Sequence, residues 1–134
     1  MQKTQTEHKV RDYVFKMSSE TSEALYLRLL EEIVVKKRYL DPNLRASTLA
    51  KDLDTTLRHI SSVMALGFKR NFNAAINHHR IRHAISLMHN HKYDNVTCEQ
   101  IGIFSGFTSR QSFYNAFNKE MGETPLAYRK RYLK

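Results

Sequence analysis

The sequence has little of what β-rich and disulfide-bonded proteins need. Four glycines and two prolines in 134 residues leave little room for the turns of an all-β protein, so helices should dominate. The single cysteine, Cys98, excludes an intramolecular disulfide and a multi-cysteine zinc site. A lone cysteine also suits a reducing compartment, and we expect a cytoplasmic protein.

Long apolar runs and enzyme motifs are absent as well. No run approaches the roughly 20 residues of a membrane span, and the polar N-terminus does not match a signal peptide, so we expect no membrane insertion. The sequence shows no glycine-rich phosphate loop, no telling pair of carboxylates and no nucleophile beside a recognisable base. We therefore predict neither an enzyme nor a cofactor.

Positive charge, by contrast, is abundant. The net charge is +9 and uneven: residues 1–66 hold 11 Lys and Arg against 9 Asp and Glu, whereas residues 67–134 hold 11 against 4. Such an excess suits a polyanionic partner, which could be nucleic acid, an acidic protein or a membrane surface. Because a solubility-promoting surface would carry the same charge, charge alone does not decide between these functions.

Hydrophobic periodicity gives the organisation of the chain. Residues 1–19 are polar and predict an N-terminal tail or linker, and residues 20–70 predict a first helical subdomain. Residues 71–91 predict a linker helix, and residues 92–134 a second subdomain. A helix of about 20 residues would span roughly 30 Å.

Capping residues mark where several helices begin. The hydroxyl of Thr56 can accept a hydrogen bond from an otherwise unpaired backbone N–H. Thr97 and Gln100 have the spacing of a capping box, in which each side chain accepts from the other residue's backbone. Thr108 or Ser109 is expected to cap the helix that follows.

Two segments of the chain share the plan of a helix-turn-helix. Residues 46–67 and 97–122 each predict a short helix, a tight turn, a capped second helix and a glycine at its end. In the first segment Leu57 and Ile60 are expected in the core, and Gly67 is expected to end the helix in a left-handed conformation. In such a motif the second helix lies in the DNA major groove, where its N-terminal residues contact base edges.

The second helix of the second segment has one apolar and one polar face. Phe113 and Phe117 fall on the apolar face and predict core. Arg110, Gln111 and Asn115 fall on the polar face. Arginine can bind guanine O6 and N7 as a forked pair, while glutamine and asparagine match adenine N6 and N7. From the pattern alone this face is either a solvated surface or a base-recognition surface.

A longer pattern surrounds these residues, and it resembles the AraC family of bacterial transcription regulators. The family pattern is I-A-x-x-x-G-F-x-S-x-x-x-F-x-x-x-F-K-K-x-x-G-x-T-P-x-x-Y-R. The matching residues are Ile101, Gly106, Phe107, Ser109, Phe113, Phe117, Lys119, Gly122, Thr124, Pro125, Tyr128 and Arg129. The first segment is similar at Leu49, Ala50, Leu53, Thr56, Ile60, Ser61, Gly67, Phe72 and Arg80. The sequence departs from the family at Gly102, where alanine is usual, and at Ser62 and Asn115, where arginine is frequent.

The resemblance implies an all-α fold of about seven helices, with two homeodomain-like helix-turn-helix subdomains joined by a long linker helix. It implies a sequence-specific transcription regulator, an activator rather than a repressor, that binds double-stranded DNA in two adjacent major-groove segments. The base-contacting residues carried over are Arg58, Ser61, Ser62, Arg110, Gln111 and Asn115. Candidate phosphate contacts are Thr56, Lys69, Arg70, Ser109, Lys119, Lys130 and Arg131. RNA polymerase and a sensor or effector domain outside this chain are the other partners that the resemblance implies.

Two other functions fit parts of the sequence. One is a basic helical interaction module that binds an acidic protein or a membrane surface. The other is a metal-responsive regulator, since His79 and His83 have the i, i+4 spacing of two metal ligands. No nearby carboxylate or cysteine completes that set, so no metal site is predicted.

Overall fold

The computed structural model describes residues 19–132, and this part of the chain contains seven α-helices. They are α1 (Ser19–Leu30), α2 (Ala46–Asp52), α3 (Leu57–Val63), α4 (Phe72–Met88), α5 (Cys98–Phe104), α6 (Arg110–Met121) and α7 (Pro125–Tyr132). Wider π-helical turns at Glu31–Val35 and Met64–Phe68 extend α1 and α3, and single 3-10 turns lie at Arg38–Leu40 and His91–Tyr93. The predicted all-α, seven-helix fold is confirmed. The predicted tail lies outside the described residues except for Ser19, where α1 begins.

The described residues form two compact units. Unit 1 comprises residues 19–38 and 43–75, and unit 2 comprises residues 39–42 and 76–132. Each unit contains one helix-turn-helix, α2 with α3 in unit 1 and α5 with α6 in unit 2. Of the helices within residues 19–132, none combines the length and the apolar character that crossing a bilayer requires.

The helix-turn-helix of unit 1 depends on a left-handed residue and a cap. Asp54 has a φ of 51°, and the following Thr55 N–H donates to the Ala50 carbonyl at 2.9 Å. The Thr56 hydroxyl then accepts from the backbone N–H of His59 at 3.1 Å, which confirms Thr56 as the cap of α3. Asp54 is a residue type that tolerates the left-handed conformation, so this turn needs no glycine.

The prediction that Gly67 ends α3 in a left-handed conformation was wrong. Gly67 lies inside the π-helical turn Met64–Phe68, and the left-handed residue is Lys69, with a φ of 59°. Gly67 has a packing role instead, because a Cβ there would overlap the ring of Tyr26 on α1. That ring also packs edge-on against Phe68, with 5.3 Å between the ring centroids.

Aromatic residues contribute half of the buried side chains in the described core of unit 2. Phe113 and Phe117 of α6 are fully buried and pack edge-to-face, with centroids 5.8 Å apart. Phe117 meets Tyr128 of α7 in the same geometry at 5.7 Å. Other buried members of this core are Ile81, Ala84, Met88, Ile101 and Phe107. The prediction that Phe113 and Phe117 form core is confirmed.

Arg80 of α4 holds residues 39–42 in unit 2. Its Nε donates to the Tyr39 carbonyl at 2.6 Å, and its Nη2 donates to the Asp41 carbonyl at 2.9 Å. The guanidinium also lies 5.7 Å from the centroid of the Phe107 ring. Gly106, with a φ of 101°, leaves room for this contact, since a Cβ there would lie 2.8 Å from Arg80 Nε. One planar side chain thus satisfies two carbonyls of an otherwise irregular segment.

Replacing Arg80 by lysine should therefore destabilise unit 2. Lysine cannot donate to two carbonyls with a planar fork, so we expect Arg80→Lys to lower the free energy of unfolding by about 1.5–3 kcal/mol. Arg82→Lys makes the same change at an exposed position two residues further along α4 and should stay within about 0.5 kcal/mol of the parent. Urea denaturation followed by circular dichroism compares the two variants, and equal losses would contradict the role given to Arg80.

Gly102 of α5 faces the ring of Phe113. A Cβ at position 102 would lie 2.6 Å from Cγ and Cδ2 of Phe113, where ordinary contacts are 3.4–4 Å. The family pattern has alanine here, and alanine would favour the helix by up to about 1 kcal/mol. Forcing a methyl group into a packed core typically costs about 1–3 kcal/mol, which is the larger effect.

We therefore expect Gly102→Ala to destabilise the protein by about 1–2 kcal/mol in spite of its better helix propensity. The matched control is Gly122→Asn. Gly122 ends α6 with a φ of 73°, a Cβ there would meet nothing within 4 Å, and asparagine tolerates the left-handed conformation. The control should cost less than about 1 kcal/mol in the same urea titration. A stabilised Gly102→Ala variant would show that the Phe113 ring can move aside.

Candidate nucleic-acid interface

The N-terminal end of α6 is fixed by its cap and by the aromatic core. The Ser109 hydroxyl accepts from the backbone N–H of Ser112 at 3.1 Å, which identifies Ser109 rather than Thr108 as the cap. Since Phe113 and Phe117 are buried one turn apart, the rotation of α6 about its own axis is set. The opposite face of the helix is directed to solvent.

The three residues predicted to contact bases on α6 all reach solvent. Gln111 and Asn115 lie on the face opposite the phenylalanines, whereas Arg110 lies about 60° from Phe113 around the axis and is exposed at the first position of the helix. Arg110, Gln111 and Asn115 are all exposed, and the Arg110 side chain retains 67% of its accessible surface. Arg110 and Gln111 also line a depression of about 530 Å³ together with Ser109 and Tyr114. The first turn of α6 therefore carries a concave surface with donors and acceptors at its edge.

Two neighbours of Arg110 were missed by the sequence analysis. Its Nε lies 3.2 Å from Oε1 of Glu99 on α5, and its Cζ lies 4.9 Å from the centroid of the Tyr114 ring. The Tyr114 hydroxyl donates to the same Glu99 oxygen at 3.2 Å. The i, i+4 spacing of Arg110 and Tyr114 was a signal in the sequence. No local pattern connects Glu99 with Arg110, because they lie on different helices.

The surroundings of Glu99 favour its charged form. The pKa of Glu99 lies below its usual value, first because its own backbone N–H donates to the carboxylate, and further because Tyr114 and Arg110 are close. A tyrosine hydroxyl is protonated at neutral pH and can donate, and burial raises the pKa of Tyr114 further. At neutral pH this surface therefore carries a carboxylate, a phenol and a guanidinium in mutual contact.

On α3 of unit 1, the exposed face differs from the prediction in two residues. Arg58 and Ser61 are exposed, as base contacts must be. Leu57 was expected in the core but is 51% exposed at the first position of α3, next to Arg58. An exposed leucine at this position can contact a thymine methyl group. The spacing of Leu57 from Ile60 suggested a buried stripe, but the stripe begins only at Ile60.

Ser62 is the second difference, and the prediction that it contacts a base is corrected. Its side chain is 1% exposed, and its sequence neighbours Ile60 and Val63 are buried as well. Helix α1 packs against α3 in this unit, so a wider arc of α3 is covered than in an isolated helix-turn-helix. A buried hydroxyl cannot reach a base edge, and Ser62 is therefore removed from the proposed set.

The residues predicted to contact phosphate are all exposed. In unit 1, Lys69 and Arg70 line a depression of about 320 Å³ together with Ser61. Two candidates, Thr56 and Ser109, cap the helices that carry the base-contacting residues. In unit 2, Lys119 and Lys130 are exposed, and Arg131 pairs with Glu123. Helix N-termini and exposed cations are the groups that bind phosphate oxygens.

Three histidines of α4 contact neighbouring side chains. His79 stacks on the Tyr39 ring with 5.7 Å between centroids, and His83 meets the edge of the same ring. His78 contacts the Glu120 carboxylate. Among residues 19–132, no three histidine, cysteine, aspartate or glutamate side chains come together as a metal-ion site would require.

Comparisons with known proteins agree with this architecture. A family model described as a helix-turn-helix domain matches residues 49–131. A Listeria innocua protein of unknown function is similar in structure, with a TM-score of 0.67 and 24% identity over 78% of this chain and 94% of that one. The C-terminal domain of AraT, a response regulator from Geobacillus stearothermophilus, has a TM-score of 0.67 and 20% identity over 81% of this chain and 86% of that one.

A third structure is the C-terminal domain of the two-component response regulator yesN from Fusobacterium nucleatum. It has a TM-score of 0.61 and 23% identity, with 77% of this chain and 97% of that one covered. At these identities the likeness to solved structures shows the fold. The sequence search found no significant match among curated proteins.

The different burial of two adjacent serines gives a test of the α3 surface. Arginine at position 62 would bring an unpaired charge into the core, so we expect Ser62→Arg to lower the free energy of unfolding by roughly 3 kcal/mol or more. Ser61→Arg introduces the same side chain at an exposed position and should change the free energy of unfolding by less than about 0.5 kcal/mol. Thermal and urea denaturation measure the stability of both variants. A fully stable Ser62→Arg variant would show that the side chain at position 62 can reach solvent.

Proposed function

This chain belongs to the AraC-type helix-turn-helix family, and from that premise we propose how its two helix-turn-helix motifs recognise DNA. It is a DNA-binding domain of a transcription regulator. In our proposal α3 and α6 each enter one of two adjacent major-groove segments of a duplex site. Because the two helices differ in sequence, the preferred site is asymmetric.

The observation that carries this proposal is the polar face of α6. Arg110, Gln111 and Asn115 are exposed in its first turn and a half, while Phe113 and Phe117 are buried and anchor the helix. These are the side chains whose donors and acceptors match the major-groove edges of guanine and adenine. A face that served only solubility would not need side chains of this type at the N-terminal end of the helix.

Helix α3 has a smaller set of candidates. Arg58 can bind guanine, the Ser61 hydroxyl can donate or accept, and Leu57 can contact a thymine methyl group. The phosphate contacts proposed for unit 1 are Thr56, Lys69 and Arg70. The Thr56 oxygen accepts from His59 within the cap, but a hydroxyl can still donate its own hydrogen to a phosphate.

In unit 2 the proposed phosphate contacts are Ser109, Lys119, Lys130 and Arg131. Contacts of this kind set register and orientation on the duplex without distinguishing its sequence. Their number implies a steep dependence of affinity on salt, since each neutralised phosphate releases condensed counterions.

The regulatory part of the proposal rests on family resemblance. We place the domain in the bacterial cytoplasm as the output part of an activator that contacts RNA polymerase, with a sensor or effector domain supplying the signal. The competing function is a basic interaction module that binds an acidic protein or a membrane surface. Its affinity would depend on total charge rather than on base sequence.

Selection of binding sites from a random duplex pool, at roughly physiological salt, separates these functions. Sequence-specific binding predicts an enriched asymmetric motif. At one position of that motif Arg110→Ala should reduce the binding free-energy difference between the preferred base pair and the others by about 1–3 kcal/mol. The preferences at the other positions should remain largely unchanged. Lys119→Ala should instead weaken binding to all duplexes alike and reduce the salt slope by about 1.

Two results would contradict the proposal. A folded protein that enriches no sequence would favour the interaction module. So would an Arg110→Ala variant that weakens binding to every duplex by the same factor as Lys119→Ala, because a charge-driven contact does not distinguish the base pair beneath it.

A further inference from the structure

The guanidinium of Arg110 is held on one edge and one face before any DNA is bound. Glu99 contacts its Nε at 3.2 Å, and the Tyr114 ring lies against its plane with 4.9 Å between Cζ and the centroid. The Tyr114 hydroxyl donates to Glu99 Oε1 at 3.2 Å, which closes a triangle of three side chains from two helices. An arginine at the start of a helix would otherwise be among the most mobile groups on the surface.

Tyr114 and Glu99, the two residues in contact with Arg110, are connected to the core and to a helix start. The Tyr114 ring stacks on Phe113, with centroids 5.8 Å apart and planes 23° apart, and Phe113 is fully buried. Glu99 follows directly after Cys98 in the first turn of α5, which begins at the capping box of Thr97. The closeness of its own backbone N–H is the largest cause that lowers the pKa of this carboxylate. The position of the ring is therefore set by the core, and the carboxylate extends from the capped first turn of α5 to the Tyr114 hydroxyl.

The geometry of the contact leaves the donors needed for guanine in place. A guanidinium has five N–H donors, one on Nε and four on the two terminal nitrogens. Glu99 contacts Nε, and a forked pair with guanine O6 and N7 can be made by the terminal nitrogens. The same arginine can thus be held by Glu99 and bind a base at once.

We propose that Glu99, assisted by Tyr114, is a positioning residue that orients Arg110 for recognition of one base pair. This inference rests on the proposed function and adds a determinant of specificity on α5, a helix that the proposal itself gives no base contacts. The proposal assigns Glu99 no contact of its own with DNA, since a carboxylate beside phosphate is repelled. Its effect is to reduce the side-chain freedom that Arg110 loses when it binds the base.

The test uses the selected duplex and a second duplex changed only at the base pair whose discrimination depends on Arg110. Glu99→Ala should reduce the ratio of the two affinities about three- to tenfold, the range expected when one long side chain must be ordered on binding. Tyr114→Phe keeps the ring and removes the hydroxyl that donates to Glu99, and it should reduce the ratio by a smaller factor. In an Arg110→Ala background, Glu99→Ala should leave the ratio unchanged.

Glu123→Ala is the matched control, because Glu123 is also a carboxylate in unit 2 paired with an arginine, Arg131. Arg131 is a proposed phosphate contact, so this variant should shift affinity for both duplexes equally. Thermal unfolding of every variant separates a structural role from a positioning role. A purely structural Glu99 would lower the unfolding midpoint without changing the affinity ratio.

The outcomes are distinct from a failure of the proposed function. If Arg110→Ala relaxes one base pair but Glu99→Ala leaves the ratio unchanged, the positioning role is wrong and the DNA-binding proposal stands. If Glu99→Ala increases the ratio, Glu99 competes with the base for Arg110, and the inference is again overturned. If Arg110→Ala changes the affinity ratio at no base pair, Arg110 does not recognise a base, and the positioning role of Glu99 is contradicted as well.

Discussion

Burial of Phe113 and Phe117 is the constraint on which the recognition surface depends. The two rings lie one turn apart on α6, and neither is exposed to solvent. Consecutive residues in an α-helix differ by about 100° around the axis, so a slip of one residue would bring both rings out of the core. Each buried ring is worth about 1.5–3 kcal/mol, and that energy fixes which side chains of α6 face solvent. Gln111 and Asn115 face solvent because they lie opposite the buried phenylalanines, and Arg110 is exposed beside them because it begins the helix.

The features that could be predicted from the sequence are those decided within about one helical turn. The capping box of Thr97 and Gln100 is present, with the Gln100 N–H to Thr97 Oγ1 distance at 3.2 Å and the reciprocal bond at 3.0 Å. Thr56 and Ser109 cap their helices, and the phenylalanine spacing marks the core. In each case the interacting groups are three or four residues apart, so composition and spacing contain the needed information.

The features that could not be predicted depend on partners far along the chain. Ser62 is buried in a unit where α1 packs against α3, and Gly67 is required by the Tyr26 ring of α1. Arg80 binds backbone carbonyls about 40 residues earlier in the chain. Every residue has a backbone carbonyl, so residue type does not reveal which ones accept. Glu99 and Arg110 are on different helices, so their contact becomes visible only when α5 and α6 are packed.

The second helices of the two helix-turn-helix motifs expose different numbers of polar side chains that could contact bases. Three consecutive residues are buried where α3 runs into its π-helical turn, namely Ser62, Val63 and Met64. The exposed side of α3 leaves Arg58 and Ser61 as polar candidates. A serine hydroxyl accepts and donates, so it distinguishes base pairs weakly. Helix α6 is longer, carries an oriented arginine and two amides, and lies in the more basic half of the chain. If both helices enter the major groove as proposed, α6 should supply most of the sequence discrimination. Unit 1 would then contribute mainly affinity and register, through the phosphate contacts of Lys69 and Arg70.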